Sequence, residues 1–293
     1  MPKTLGRFPL AVRVKELERM YRIAGREIAK EFAVVDIGDF RELQAIQTEE
    51  KIDGLVKMLN RAAIKWSKAA VPEAYEKGYA VSKTRLEILG AEKSREFKEK
   101  THSQEAEFQT DESMNELIKA NQSIKTNVAI YLYLARQAAR GLAQFQAFDM
   151  RDEAVIDELL DEALRAGGTR GEAKRAVRAH FRAKFGEAQF IRINGRNYNL
   201  PKYADLVAKT RLRHVQSMAV KNSCQEYQND LVEISSHNTV CDQCGIYEGN
   251  IYSVSGSHPK YPYLDAWPPF HPRCQHNAAP TSEVALKWRA KYV

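Results

Sequence analysis

Residues 113–145 read SMNELIKANQSIKTNVAIYLYLARQAARGLAQF, and their spacing decides the fold of the first part of the chain. Apolar or small residues and one asparagine recur at alternating steps of four and three, the pattern of a coiled-coil-like seam. Ser113 and Glu116 have the spacing of a capping box at a helix start. We therefore predict a helix over residues 113–148, about 50 Å long. The seam positions are Leu117, Asn121, Ile124, Val128, Tyr131, Ala135, Ala138, Leu142 and Phe145.

This seam has two interpretations. A long apolar stripe on one helix is typical of packing inside a helical bundle, and we favour core packing within the subunit. The alternative is that the seam joins copies of the chain in a homo-oligomer.

The sequence before the seam is also helical, because Ala, Leu, Glu, Lys, Arg and Gln dominate it. Residues 10–32 and 40–66 carry apolar residues at steps of three and four, which predicts two amphipathic helices. Residues 91–111 are highly charged, with only Phe97 and Phe108 as large apolar residues, and indicate a solvated helix or a flexible connector. We expect a mainly α fold whose first domain is a long-helix module over residues 1–185.

Charge is unevenly distributed along the chain. Forty-five Lys and Arg against 38 Asp and Glu give a net charge of +7. Residues 151–162 are strongly acidic, whereas residues 165–184 are strongly basic and belong to a longer basic stretch that reaches residue 213. The basic stretch predicts contact with DNA phosphates, and the alternative is that it pairs with the acidic segment before it. The nucleic-acid-binding candidates are Arg170, Lys174, Arg175, Arg178, Arg182 and Lys184.

The residue pattern changes near residue 186. Asn194-Gly195 lies between alternating apolar and polar residues and predicts a β-hairpin with a two-residue connection. Residues 202–224 return to helical periodicity, residues 231–235 and 250–255 have the composition of strands, and residues 283–292 predict a short helix. We expect a small α+β C-terminal domain over residues 186–293.

Three of the four cysteines have the spacing of a zinc knuckle. Cys241-Asp-Gln-Cys244 offers two thiolates on one tight turn, and His271-Pro-Arg-Cys274-Gln-His276 follows 26 residues later. Structural zinc needs four ligands that converge on one tetrahedral centre. We predict a structural Zn²⁺ bound by Cys241, Cys244, His271 and Cys274, with His276 as the alternative fourth ligand.

Other roles are open to these cysteines. They could be unligated thiols packed in a small proline-rich domain, with Cys224 as a lone core cysteine. Cys241 and Cys244 could also form a redox dithiol, although no thioredoxin-like pattern surrounds them.

An enzymatic alternative is a zinc-knuckle nuclease of the His-Asn-His type. Asp265, His271, His276 and Asn277 offer suitable residue types beside the basic segment. A histidine that binds a structural metal cannot also serve as the general base, and no second His-His or Asp-His pair lies nearby in the sequence. We therefore assign no catalytic residues.

Several short motifs in the last third of the chain occur in an order that resembles a known family. They are Gly195-Arg196, residues 203–211 (YADLVAKTR), residues 230–237 (DLVEISSH), the Cys241 and Cys244 pair, residues 247–249 (YEG), residues 251–256 (IYSVSG) and residues 270–276 (FHPRCQH). Over about residues 190–282 the chain resembles the tailed-phage minor capsid protein 2 group, which is similar to the Mu F-like head morphogenesis proteins.

The resemblance implies a minor head protein of a virion, associated with the portal vertex, that serves head assembly, DNA packaging or DNA delivery. It implies the phage portal protein and other head proteins as partners, assembly in the cytoplasm of the bacterial host, and no established catalytic activity.

The composition argues against membrane and exported classes. No stretch approaches the roughly 18 apolar residues of a membrane span, and residues 1–10 lack an apolar signal core. We expect a protein that folds and works away from a membrane.

Overall fold

The computed structural model describes residues 10–34, 42–144, 190–193 and 196–292. The acidic segment 151–162 and the basic segment 165–184 lie outside these ranges, as do all six nucleic-acid-binding candidates. The described part is mainly α-helical, with a small α+β region at the C-terminal end, which confirms the predicted fold class.

Three long helices make up the first part of the described chain. They are α1 (Ala11–Val34), α2 (Glu42–Ile88) and α3 (Lys100–Gln144). The periodicity located α1 to within two residues, whereas α2 extends well beyond the predicted end near residue 66. It passes through Pro72, although proline lacks the N–H that would bond to the carbonyl four residues earlier.

The predicted start of α3 was wrong. The helix begins at Lys100, so Ser113 lies inside it and the charged segment before it is partly helical. Ser113 is fully buried, and its hydroxyl forms a 3.1 Å hydrogen bond with the hydroxyl of Ser67 on α2. The capping-box spacing of Ser113 and Glu116 is therefore coincidental. The local sequence does not distinguish a serine that caps a helix from a serine that packs between two helices.

The seam of α3 packs inside the subunit. Leu117, Ile124, Val128 and Ala135 are almost completely buried within the single chain, as is Asn121. These side chains are buried within one chain and need no second copy of the protein to cover them. For this part of the seam, the prediction of core packing is therefore confirmed and the oligomer alternative is not needed. The side chains of Tyr131, Ala138, Leu142 and Phe145 are outside the description.

The second part of the described chain begins with a hairpin. Strands β1 (Phe190–Ile193) and β2 (Arg196–Asn199) are antiparallel, and Ile193 pairs with Arg196, as expected for a two-residue connection. Helix α4 (Leu200–Glu226) follows directly and is slightly longer than predicted.

A three-stranded antiparallel sheet lies after α4. Its strands are β3 (Leu231–Ile234), β4 (Ile251–Ser253) and β5 (Ala278–Thr281), in the order β4-β3-β5. The sequence analysis predicted β3 and β4 but not β5, which contains Pro280. Proline is tolerated here because β5 is at the edge of the sheet, where a missing N–H need not break a ladder. Helix α5 (Glu283–Tyr292) lies where it was predicted.

The chain divides into two compact units. One is drawn from Met1–Leu17, Ile64–Asn115 and Ala204–Val293, and the other from Glu18–Ala63 and Glu116–Tyr203. The domain boundary predicted near residue 186 lies outside the described ranges and stays a prediction. Within those ranges, no helix combines the length and the apolar character needed to cross a membrane.

Candidate metal centre

The pairing of β3 with β5 brings the two cysteine-bearing segments together. Just beyond the paired residues, the N–H of Ser235 donates to the carbonyl of Asn277 at 2.9 Å. In return, the N–H of Asn277 donates to the hydroxyl of Ser235 at 3.0 Å. The loop that carries Cys241 and Cys244 therefore starts beside the segment that carries Cys274 and His276.

Two tight turns set the direction of the ligand side chains. The N–H of Gly245 donates to the carbonyl of Cys241 at 2.8 Å, and a single 3₁₀ turn, Gly245–Tyr247, follows Cys244. In the second segment the N–H of Cys274 donates to the carbonyl of His271 at 3.0 Å. Arg273 adopts a left-handed conformation there, with φ of +69°, and such a residue reverses the chain sharply.

Five donor side chains converge in two overlapping groups. Cys241, Cys244 and His271 form one group, and Cys244, Cys274 and His276 form the other, with the ligand atoms of each group within 4.8 Å of one another. Nε2 of His271 lies 3.4 Å from Sγ of Cys241 and 3.2 Å from Sγ of Cys244. Nδ1 of His276 lies 3.4 Å from Sγ of Cys274. All five predicted ligand residues are thus brought together, and this cluster could hold a metal ion.

Each histidine has an oxygen near the ring nitrogen that faces away from the sulfur atoms. Nδ1 of His271 lies 2.8 Å from the carbonyl oxygen of Pro272. Nε2 of His276 is buried without a hydrogen bond, and its nearest ionic neighbour is the carboxylate of Glu248 at 3.7 Å. Metal-binding histidines commonly direct the second ring nitrogen at a carbonyl or carboxylate oxygen, which orients the ring and selects the tautomer. Both histidines therefore have the surroundings of a ligand.

Glu248 organises the loop before the first cysteine. Its carboxylate accepts hydrogen bonds from the backbone N–H groups of His237, Asn238 and Thr239 and from the hydroxyl of Ser236. Desolvation alone would raise the pKa of Glu248, but these hydrogen bonds outweigh it and lower the pKa to about 2. A carboxylate held this way is ionised at neutral pH and closes the loop over His276.

In the sequence, Glu248 stood out only as the middle residue of the motif at residues 247–249. Gly249 has φ of +71°, as a tight turn at that position requires. No spacing rule links Glu248 to residues 237–239, because the contact depends on how the loop folds back.

The cysteines differ in their environments. Burial is the main reason that the pKa of Cys244 is raised to about 11, and the nearby thiols of Cys241 and Cys274 add to it. Hydrogen bonds from the backbone N–H groups of Cys244 and Gln243 lower the pKa of Cys241. A cation in the cluster would favour the thiolate forms that bind metal.

Aromatic packing joins the two ligand-bearing segments. The rings of Tyr247 and Phe270, which flank the two turns, stack with centroids 4.1 Å apart and planes 8° apart. The hydroxyl of Tyr247 donates to the carboxylate of Asp265 at 3.2 Å. Asp265 therefore contacts Tyr247 of the aromatic stack rather than the donor cluster. A nuclease would need such an acidic residue at the metal.

Arg213 of α4 is a second supporting residue that the sequence did not single out. Its guanidinium donates to the backbone carbonyl of Cys274. Nearby on the same helix, Lys209 pairs with Asp205 at 2.7 Å. These two described members of the basic stretch thus have structural partners.

Cys224 is separate from the cluster. It is fully buried in the small core beside the sheet, together with Val232, Ile234 and Leu264. Burial raises the pKa of its thiol to about 12. Its environment is that of the lone core cysteine predicted from the sequence.

Comparison with known proteins assigns the chain to a family. No curated protein and no solved structure matches it. A family model for phage minor capsid protein 2 matches residues 39–282 and so covers α2, α3 and the donor cluster. The resemblance seen in residues 190–282 therefore extends over most of the helical part as well. Because the match covers well over half of its residues, the chain belongs to the phage minor capsid protein 2 family.

Proposed function

We propose that this protein acts at the portal vertex of a phage head, in head assembly, DNA packaging or DNA delivery. Family membership supports the coarser statement, a structural role in the head of the virion beside other head proteins. The observation that carries the proposal is the extent of the match, residues 39–282. A single family model thus spans both the long helices and the metal cluster, so the two belong to the same family region.

The long helices suit a docking role. Helices α2 and α3 are 47 and 45 residues long. Helices of this length bury one face in the subunit and present the other along their whole length, where helices of a partner can pack. A portal is a ring of subunits, and the proposal is that such exposed faces contact it.

The metal in the donor cluster is proposed to be structural Zn²⁺. Three thiols and an imidazole make a donor set that favours zinc among the common divalent ions. With Cys241, Cys244 and Cys274 as ligands, either His271 or His276 would complete the tetrahedron. The ion would hold the loop after β3 against the segment before β5, in a region whose hydrophobic core is small. Four protein ligands leave no open position for substrate, which supports a structural rather than a catalytic centre.

Contact with packaged DNA is the second part of the proposal. The six candidate residues between Arg170 and Lys184 supply positive charge that would bind phosphates irrespective of sequence. Lys209 and Arg213 are engaged with protein groups, so we assign the DNA contact to residues 165–184 rather than to α4.

A nuclease is not favoured by the geometry. One ring nitrogen of each histidine, Nε2 of His271 and Nδ1 of His276, faces a cysteine sulfur atom, so a histidine that binds the metal there is not free to activate water.

The test combines assembly and activity assays on the full chain. Purified protein is mixed with portal rings of the same phage and sedimented, and separately incubated with supercoiled plasmid and Mg²⁺ or Mn²⁺. We expect co-sedimentation with the rings and no nicking, and the same absence of nicking for His276→Ala. Nicking by the wild type that His276→Ala abolishes, or failure to sediment with portal, would overturn the proposal.

A further inference from the structure

A groove runs along α2 and α3 in the compact unit that also contains α4. Its lining comes from α2 between Lys68 and Tyr79 and from α3 between His102 and Met114, at the three- and four-residue steps of single helix faces. Each lining stretch is about three turns, or roughly 17 Å, long. The cavity measures about 800 Å³, which is well above the space needed for a few ordered waters.

The floor of the groove is apolar and incompletely covered. Pro72 and Tyr79 of α2 and Ala106 and Met114 of α3 line it and are half-buried. Two helices packed side by side leave such a furrow, and a third helix fills it in the usual way by placing its ridge between them.

One end of the groove is closed by a polar network. The buried carboxylate of Glu226, at the end of α4, accepts a hydrogen bond from Lys93 at 2.7 Å and lies 3.0 Å from Nε2 of His102. Nδ1 of His102 lies 2.9 Å from the hydroxyl of Tyr75, which also receives a hydrogen bond from Asn222. Because the hydrogen-bonding groups of this network are paired with one another, the side chains at this end of the groove are held in fixed positions.

The rim of the groove is acidic in a basic protein. Five carboxylates and two lysines line the groove as a whole, a net charge of −3, whereas the whole chain carries +7, with histidines counted as neutral in both sums. Glu76, Glu107 and Asp111 are exposed and form no ion pair with another residue of the described ranges. Carboxylates left without partners around an apolar floor attract a ligand that combines cationic and apolar groups.

An unpaired backbone acceptor adds to this character. Pro72 has no N–H, so the carbonyl of Lys68 lacks its usual helical donor at the edge of the groove. A lysine or arginine side chain of a bound helix could donate there, as well as to the neighbouring carboxylates.

We propose that this groove is a docking site for a basic amphipathic helix of about three turns, supplied by another protein of the phage head. Its apolar face would contact the floor, and its Lys and Arg side chains would pair with Glu76, Glu107 and Asp111. The identity of the partner as a head protein rests on the proposed function, whereas the chemistry of the groove does not.

Binding is tested with a fluorescein-labelled amphipathic peptide of about 16 residues, with leucines on one face and lysines on its flanks. A matched peptide carries glutamate in place of every lysine. Fluorescence anisotropy with the full-length protein should show binding of the lysine peptide alone, weakening as NaCl rises from about 50 to about 300 mM.

Two variants locate the binding on the protein. Glu107→Lys with Asp111→Lys reverses two rim charges and should weaken binding of the lysine peptide at least about tenfold. Ala106→Trp should also block it, because the larger ring fills the floor. The control, Glu50→Lys with Glu112→Lys, makes the same charge change at exposed positions outside the groove and should bind as the wild type does. Thermal unfolding of each variant checks that it folds.

The proposal is overturned if the two peptides bind alike, or if the groove and control variants bind alike. It is also overturned if sedimentation shows that the groove variant abolishes self-association, since the occupant is then a second copy of the chain. Co-sedimentation with portal is an independent measurement, so loss of peptide binding with intact portal association removes only the groove proposal.

Discussion

Tyr21 of α1 donates a 2.7 Å hydrogen bond to the side-chain carbonyl of Asn121 on α3, across 100 residues of sequence and out of contact with solvent. The amide of Asn121 in turn donates to the side-chain carbonyl of Asn60 on α2 at 2.8 Å. Asn121, a polar residue of the seam that is fully buried, thus joins three helices. Because an unpaired amide there would be costly, this contact restricts the helices to one register.

Replacing Tyr21 by phenylalanine should destabilise the fold by about 1–3 kcal/mol, because Asn121 would lose a partner while remaining buried. Chemical denaturation of full-length protein measures the change. Asn121→Leu on the Tyr21→Phe background removes the unpaired amide and should restore part of the loss. Equal stability of Tyr21→Phe and wild type would contradict the structural role of this contact.

Two glycines of α2 should respond in opposite directions to the same substitution. A Cβ at Gly78 would lie 2.9 Å from Cα of Gln216 on α4, whereas a Cβ at Gly54 would meet no atom within 4 Å. Gly54→Ala should stabilise the protein by about 0.5–1 kcal/mol through helix propensity. Gly78→Ala should destabilise it despite the same gain, since the backbones of two helices would have to separate. Midpoints of urea unfolding compare the pair, and stabilisation by both substitutions would contradict the close approach of α2 to α4.

Metal content should depend most strongly on Cys244, which belongs to both donor groups. Elemental analysis of protein purified without chelator should find about one zinc per chain, and Cys244→Ser should reduce this to background. Cys224→Ser is the matched control, because Cys224 lies in the core and outside both groups. Wild-type zinc content in Cys244→Ser, or background content in the wild type, would refute the zinc proposal.

Asp230 should contribute stability that disappears in acid. Its carboxylate accepts hydrogen bonds from the hydroxyl of Ser253 and the N–H of Ser255, both at 2.7 Å. Desolvation raises the pKa of Asp230, but these hydrogen bonds outweigh it and lower the pKa below its ordinary value. A lowered pKa means that the contribution is present above the pKa of the unfolded chain, about 4, and is lost as pH falls through the folded value.

The stability difference between wild type and Asp230→Asn should therefore be largest near neutrality and shrink below about pH 4. Urea unfolding at several pH values gives this difference directly. If the difference in free energy of unfolding between the two proteins stays constant down to about pH 2, Asp230 does not act through its charge.

Local patterns in the sequence were sufficient to predict the positions of α1, α4, α5 and strand β3, because helical and strand periodicities reflect burial of one face. The positions of Cys241, Cys244, His271, Cys274 and His276 were also readable from spacing alone. Turns that present metal ligands are short, so their geometry is encoded within a few residues.

Contacts between distant segments were not readable in this way. Ser113 had the sequence context of a cap but lies in a helix–helix contact with Ser67. Strand β5 contains a proline and is a strand only because β3 offers it an edge. Glu248 received no site role, since the N–H groups that surround it belong to a loop folded back by the sheet.

The sequence by itself determined the helical character of the first part, the mixture of helix and strands in the last part and the set of residues able to bind a metal. These properties depend on residue type and on spacings shorter than a few helical turns. Only the tertiary structure decided that the described part of the α3 seam is internal, that both histidines face the cysteines, and that an acidic groove lies along α2 and α3. Each of these depends on side chains far apart in sequence, whose meeting is set by packing of whole elements rather than by local preference.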